Sequence, residues 1–272
     1  MRRSSLGGSW SGCSRAWLDA GGAALKDWWK GFFREGVYPL ASLIDIDATQ
    51  LEVRELRRLL PAGRGARVLD VACGVGRHSV PLAAAGYDVT GLDYSTSYLK
   101  QARRRAQRAK LAVRFVQGDM RRLGFEKAYD VVLNLWTSFG YFPSRADDER
   151  TLRSMRRALK PGGWLVLEVV DPARFTGGFP PRHWDRIRGY WMLEATSLRE
   201  GKDPAMIAER FIIAPNGRTS RTRTFVRMYS RPRLKAALEK AGFERVALGR
   251  GLIEQGAGAK PSRILALARR PF

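Results

Sequence analysis

The sequence predicts an α/β fold: a seven-stranded, mostly parallel sheet preceded by helices, with an antiparallel cap inserted after the fifth strand. Three observations carry this. The stretch VLDVACGVGRHSVPLAAAGYDVTGLD, residues 68–93, packs an apolar strand, a two-glycine turn, a helix and a second strand into one β-α-β unit. Apolar runs and amphipathic helices keep alternating as far as Asp171, which implies parallel strands with right-handed crossovers. The alternation then lapses for about sixty residues, and Pro215-Asn216-Gly217 between two strand-like runs signals a hairpin.

Taken in order, residues 1–24 are rich in Ser, Gly and Ala, have no clear period, and read as a disordered leader. A single domain is expected over 25–272, with 172–230 as its inserted cap. LKDWWKGFFREGVYPLASL places Trp28, Trp29, Phe32 and Phe33 on one helical face, as packing residues, and Thr49 leads into LEVRELRRLL, a second amphipathic helix stopped at Pro61. ARVLDVA is a buried strand, RHSVPLAAAG a helix with a glycine stop, and YDVTGLD the next strand. STSYLKQARRRAQRAK is a helix with Ser95 as N-cap. VRFVQGD, YDVVLNLW and GWLVLEVVD are three more strands, with a helix over DDERTLRSMRRALKPGG before the last. PARFTGGFPPRHW reads as loop, and YWMLEATSLRE, AMIAERFIIA and TSRTRTFVRMYS as strands of the cap. RPRLKAALEKAGF is a helix, and ERVALGRG and SRILALARR complete the main sheet.

Composition narrows the function classes. No run of eighteen apolar residues exists to cross a membrane, and the basic start lacks the apolar segment of a secretory signal, so a cytoplasmic protein is expected. Two cysteines, Cys13 and Cys73, make neither a disulfide framework nor a metal cluster, and no metal is expected. The net charge of +23 is concentrated late: residues 181–272 carry 20 basic against 8 acidic side chains. Such an excess is the footprint of a nucleic-acid binder, which keeps an RNA partner as an alternative, although helix faces such as Arg103, Arg104, Arg105 and Arg108 are ordinarily solvated.

The chemistry sits at strand ends. Asp70 closes the first strand, and Gly74 and Gly76 let the backbone turn and approach a ligand without a Cβ in the way. A dinucleotide site wants a third glycine where Ser79 stands, which handicaps an NAD-dependent oxidoreductase. Asp93, seventeen residues after Gly76, suits ribose hydroxyls in either case. Gly118-Asp119-Met120 supplies a carboxylate for an amino N–H and an apolar cover for a purine, and Asn134, Leu135 and Trp136 end the fourth strand beside an aromatic loop.

Together, Val68 to Asp171 resemble the class I S-adenosylmethionine-dependent methyltransferases, whose sheet is Rossmann-like. The resemblance implies S-adenosylmethionine as cofactor. It places Asp70, Ala72, Cys73, Gly74, Gly76 and Arg77 around the methionine part, Asp93 and Tyr94 at the ribose, Asp119 and Met120 at the adenine, and Asn134, Leu135 and Trp136 beside the methyl group. More weakly, from Trp28 to the C-terminus, the chain resembles the small-molecule branch of the methyltransferase-domain-25 type, many of which act on nitrogen or oxygen. That implies Tyr38 at the methionine carboxylate and Trp136, Phe139, Tyr141, Arg227 and Tyr229 around a small-molecule acceptor. His78 reads as structural; His183 is balanced between a solvent-facing loop residue and an acceptor contact. An RNA methyltransferase is disfavoured because base-amine enzymes end the fourth strand in D/N-P-P-Y/F, where this chain has Asn134-Leu-Trp-Thr. A non-catalytic cofactor-binding scaffold is the remaining alternative, since fold alone never proves activity.

Overall fold

A computed structural model of the chain describes residues 27–34, 36–60, 63–176, 181–253 and 263–272, so the expected leader lies outside the described residues. Three helices come first: α1 (Trp28–Phe32), α2 (Leu40–Leu43) and α3 (Ile46–Leu59). The main sheet is then built from β1 (Arg67–Val71), β2 (Asp88–Asp93), β3 (Arg114–Gln117), β4 (Tyr129–Asn134) and β5 (Leu159–Val170). Between these strands run α4 (Ser79–Ala84), α5 (Thr96–Arg108) and α6 (Arg145–Ala158). After a 3₁₀ turn at Pro172–Phe175 come β6 (Arg182–Ile187), β7 (Tyr190–Arg199), β8 (Ala205–Ile213) and β9 (Thr219–Arg227). The chain returns through α7 (Arg231–Lys240) to β10 (Glu244–Arg250) and β11 (Arg263–Arg269).

Seven strands form one sheet in the order β10-β11-β5-β4-β1-β2-β3, and β6 to β9 form a separate antiparallel sheet of four. β1 pairs in parallel with both β2 and β4, so the strand order reverses beside it, and the crevice outside the carboxyl ends opens there. Only β11 runs against its neighbours, antiparallel to β5 and β10. The apolar runs are buried on both faces, as a sheet covered by helices requires: Val68, Leu69, Val131, Val132, Leu133, Leu165 and Leu167 have no exposed surface. On α5, Leu99, Ala102 and Ala106 recur every three or four residues and pack against Phe115 of β3, Tyr98 packs on Ile44 and Val75, and Arg103, Arg104 and Arg108 stay exposed.

Three elements differ from the expectation. The helix expected over residues 147–163 ends at Ala158, and Leu159 begins β5. α3 starts at Ile46, not after Thr49, because Asp45 caps it by accepting from the Ala48 N–H at 2.9 Å. The apolar signal begins late because Ile46 is 62% exposed. The segment read as loop, residues 172–184, runs into the first three residues of β6, an edge strand whose residues are nearly all exposed, so it shows no alternation to read.

The cap sheet is fastened over the crevice by the elements on either side. Trp28, Trp29 and Phe32 of α1 share a buried cluster with Phe142, Ala205 and Phe225, and Ser220 donates to the Val37 carbonyl at 2.8 Å. Gly140, in the loop after β4, fits against β9: its carbonyl accepts from the Arg227 N–H at 2.8 Å, its φ is +93°, and a Cβ would lie 2.7 Å from the Arg227 carbonyl oxygen. Gly140→Ala combines a left-handed backbone with a backbone clash, so a loss of about 2–3 kcal/mol is expected in chemical denaturation.

Candidate functional site

A cavity of about 490 Å³ opens at the carboxyl ends of β1, β2 and β4 and continues up to the cap. Its sheet side is lined by Asp70, Ala72, Cys73, Gly74, Arg77, Asp93, Tyr94, Asp119, Met120, Leu135 and Trp136. Its upper side is lined by Tyr38, Tyr141, His183, Glu194, Met206, Arg210, Thr224 and Val226.

Asp93 is the best-anchored acid. One carboxylate oxygen accepts from the Gly74 N–H and the other from the Ser95 N–H, each at 2.8 Å, and the side chain is 8% exposed. Burial pushes its carboxyl up to about 6, with the Asp70 charge adding to it and the backbone donors opposing. Each oxygen keeps a second lone pair for a ligand hydroxyl. Gly74 has φ +56°, and a Cβ there would sit 3.0 Å from Leu40, so the turn closes only around glycine. Gly76 does not line the cavity; it lets α5 and Phe115 pack against the turn, its missing Cβ falling 3.1 Å from Ala102.

Ser79 explains its own presence. Its hydroxyl donates to Asp70 at 2.6 Å, tying the end of β1 to the start of α4, and Asp70 is raised by burial against the pull of His78, Ser79 and Arg77. Burial likewise raises the Cys73 thiol well above its ordinary value, so it stays a protonated packing group. Asp119 is engaged by Arg121, whose Nη2 donates at 2.6 Å, and this pairing outweighs burial to hold its carboxyl low.

The far wall depends on Glu52 of α3, which the sequence reading did not single out. Glu52 is 3% exposed and receives Arg77 at 2.6 Å, His78 at 2.8 Å and the Trp136 indole N–H at 2.9 Å. Burial alone would raise its carboxyl; these partners hold it at about 2. Arg77 lies 4.1 Å from the Trp136 ring centroid, and its Nη2 is buried without a partner, so this side chain builds the wall. Trp136 and Thr137 both adopt left-handed backbone, φ +57° and +60°, as does Ala72 at +59° on the opposite side of the crevice. Three non-glycine residues in that region at one cavity mark a site held under strain by its surroundings.

Several expected acceptor residues lie elsewhere. Arg227 is 3% exposed and donates to Asp148 at 2.9 Å and to the carbonyls of Phe142 and Pro143. Tyr229 donates to the same Asp148 oxygen at 2.7 Å, and Phe139, 1% exposed, packs on Tyr229. None of the three lines the cavity; they brace the loop after β4 from behind. Asn134 also faces away, donating to the Val71 carbonyl at 3.0 Å and having no exposed surface. In their place the cap supplies Glu194 and Arg210, an ion pair. Period-two alternation along β9 turns Thr224 and Val226 to the cavity and Phe225 and Arg227 away, which was the signal available.

A family model described as a methyltransferase domain matches residues 68–163. Over residues 68–163 the chain is similar to a methyltransferase domain. The match covers β1 to the start of β5, and with it the turn, Asp93 and Asp119. The resemblance stated from the sequence is thereby borne out. The chain is 36% identical over 115 residues to the putative methyltransferase YqeM of Bacillus subtilis, covering 42% of this chain and 46% of that one. It is 29% identical to the dTDP-4-amino-2,3,4,6-tetradeoxy-D-glucose N,N-dimethyltransferase of Saccharopolyspora spinosa, covering 74% and 81%. The chain spans about half the length of the first curated relatives it matches. Among solved structures, the sugar N-methyltransferase KedS8 from a Streptoalloteichus species is 25% identical, with a TM-score of 0.64 over 92% of this chain and 96% of that one. The described residues hold no group of three or more His, Cys, Asp or Glu able to bind a metal, and no helix long and apolar enough to cross a membrane.

Proposed function

We propose that this protein is a cytoplasmic S-adenosylmethionine-dependent methyltransferase acting on nitrogen or oxygen of a small molecule. Residues 25–272 are its working unit, with 172–230 as the cap. The observation that carries the reading is one continuous cavity running from Asp93 and Gly74 to an aromatic wall under the cap. The donor set fits the cofactor: Asp93 keeps free lone pairs for ribose hydroxyls, Met120 offers an apolar cover, and Gly74 gives the close backbone approach. A cavity roofed by β7, β8 and β9 takes a compact acceptor whole, which favours a small molecule over a polynucleotide.

When bound, S-adenosylmethionine supplies a methyl group on a sulfonium. The chain's residues position and enclose. Burial raises the hydroxyls of Tyr38 and Tyr141, so both stay protonated and orient an acceptor as hydrogen-bonding groups instead of removing its proton. Trp28, Phe32, Phe33 and Tyr141 close the same end with edge and stacked contacts that exclude water. An amine acceptor reacts neutral in such a site, and alignment supplies the rate.

Thermal shift separates the readings. S-adenosylhomocysteine at a hundredfold over its Kd adds about 2.7 kcal/mol and raises Tm by roughly 5 °C or more. Stabilisation by NADH alone would overturn the cofactor. Labelled methyl transfer into a metabolite extract but not into RNA is the expected partner result.

A further inference from the structure

The acids lining the cavity gather at its sheet end, except Glu194, which stands with Arg210 at the cap. Asp70, Asp93 and Asp119 stand at the ends of β1, β2 and β3, whereas Arg174 and Arg210 stand toward the cap. The other two arginines in the lining are committed, Arg77 to Glu52 and Arg263 to the Trp136 ring and Glu168. His183, Glu194 and Arg210 form one cross-strand row over β6, β7 and β8. Glu194 takes the Nε edge of Arg210, and Arg210 Nη1 donates to Thr224 Oγ1 at 3.0 Å. Thr196 donates to the other Glu194 oxygen at 2.9 Å. Both members of the pair are about 85% buried, their side chains being 15% and 16% exposed.

An arginine fixed on two sides is a prepared receptor. Among the described residues Arg210 Nη2 has no hydrogen-bond partner, and neither has the Arg174 guanidinium. Glu194 compensates the buried charge while the site is empty and fixes the plane of the fork, leaving N–H groups in a geometry that matches an oxyanion. We propose that Arg210, held by Glu194 and Thr224 and assisted by Arg174, receives a carboxylate or phosphate oxyanion of the acceptor. The acceptor is then a small acid, anchored at the cap, whose nucleophilic nitrogen or oxygen lies between that anchor and the Asp93 end. This rests on the methyltransferase reading above and names the substrate class for it.

The test titrates inorganic phosphate and, separately, succinate at fixed ionic strength, with and without S-adenosylhomocysteine, into wild type, Arg210→Gln and Arg104→Gln. Arg104 is exposed on α5, does not line the cavity, and controls for the general basic surface. One of the two anions is expected to bind saturably, about tenfold or more weaker in Arg210→Gln and unchanged in Arg104→Gln, with S-adenosylhomocysteine affinity equal in all three. Which anion binds distinguishes phosphate from carboxylate. In methyl transfer to an extract, label is expected in the fraction retained by an anion exchanger, and Arg210→Gln raises KM more than it lowers kcat. Equal anion binding in Arg210→Gln and wild type, no saturable binding, or label confined to the unretained fraction overturns the anchor. Failure to bind S-adenosylhomocysteine would sink the cofactor reading instead, and the anion arm without it is still read.

Discussion

Asp93→Ala is expected to weaken S-adenosylhomocysteine binding by about a hundredfold or more, because it removes two charge-assisted hydrogen bonds worth about 1.5–3 kcal/mol each. The folded protein should hardly notice. A carboxyl raised from 3.8 to about 6 favours the folded state in its protonated form, so its contribution is best below pH 4 and declines as pH rises through 6. At neutral pH that amounts to a cost of roughly 3 kcal/mol, which the substitution relieves. Against it stands the loss of an acceptor for the Gly74 and Ser95 N–H groups, about 1–3 kcal/mol each. The two nearly offset, so isothermal titration should show binding lost while the denaturation midpoint moves little. In wild type the ionised form is the competent one, so affinity should be level above pH 7 and fall as pH drops through about 6. A pH-independent affinity would remove Asp93 from the ribose.

Arg227→Met is expected to produce the opposite pattern, a loss of about 3–5 kcal/mol in stability with S-adenosylhomocysteine affinity unchanged. Asp148 would be left buried with only the Tyr229 hydroxyl, and two backbone carbonyls would lose their donor. Burial already lifts Asp148 to about 6 with Arg227 and Tyr229 opposing, so in the variant it should rise further. Stability lost at neutral pH should therefore partly return as Asp148 takes up a proton in acid. Tyr229→Phe, which removes one hydrogen bond, should cost only about 1 kcal/mol. An Arg227→Met protein of native stability with impaired turnover would return Arg227 to the acceptor site.

These contrasts show where one-dimensional reading works. Val68, Val131 and Leu165 announced their strands because both faces of a parallel strand must be apolar, and Ser95 announced its helix because a serine before an amphipathic run can accept from the first-turn N–H of Tyr98. The glycine turn and Asp93 were legible because strand ends in such a sheet share one crevice. Arg227, Tyr229 and Phe139 do not line the cavity: composition says that a segment is near the site, while parity along β9 turns Arg227 away and the loops carrying Phe139 and Tyr229 fold behind it onto Asp148. Glu194 and Arg210 were invisible for a related reason: their pairing exists only after β7 and β8 take register. Glu52 is one of several charges on an amphipathic helix, and only the fold brings it to the Trp136 indole N–H.

Glu52 also fixes what can be exchanged between relatives. The segment matched by the family model starts after α3, so it carries Arg77, His78 and Trp136 but not the acid that joins them. A chimera that swaps only the matched segment into a foreign scaffold brings a buried guanidinium without its counter-charge. The portable module is longer: α3 must travel with the turn and the loop after β4, which its Glu52 joins.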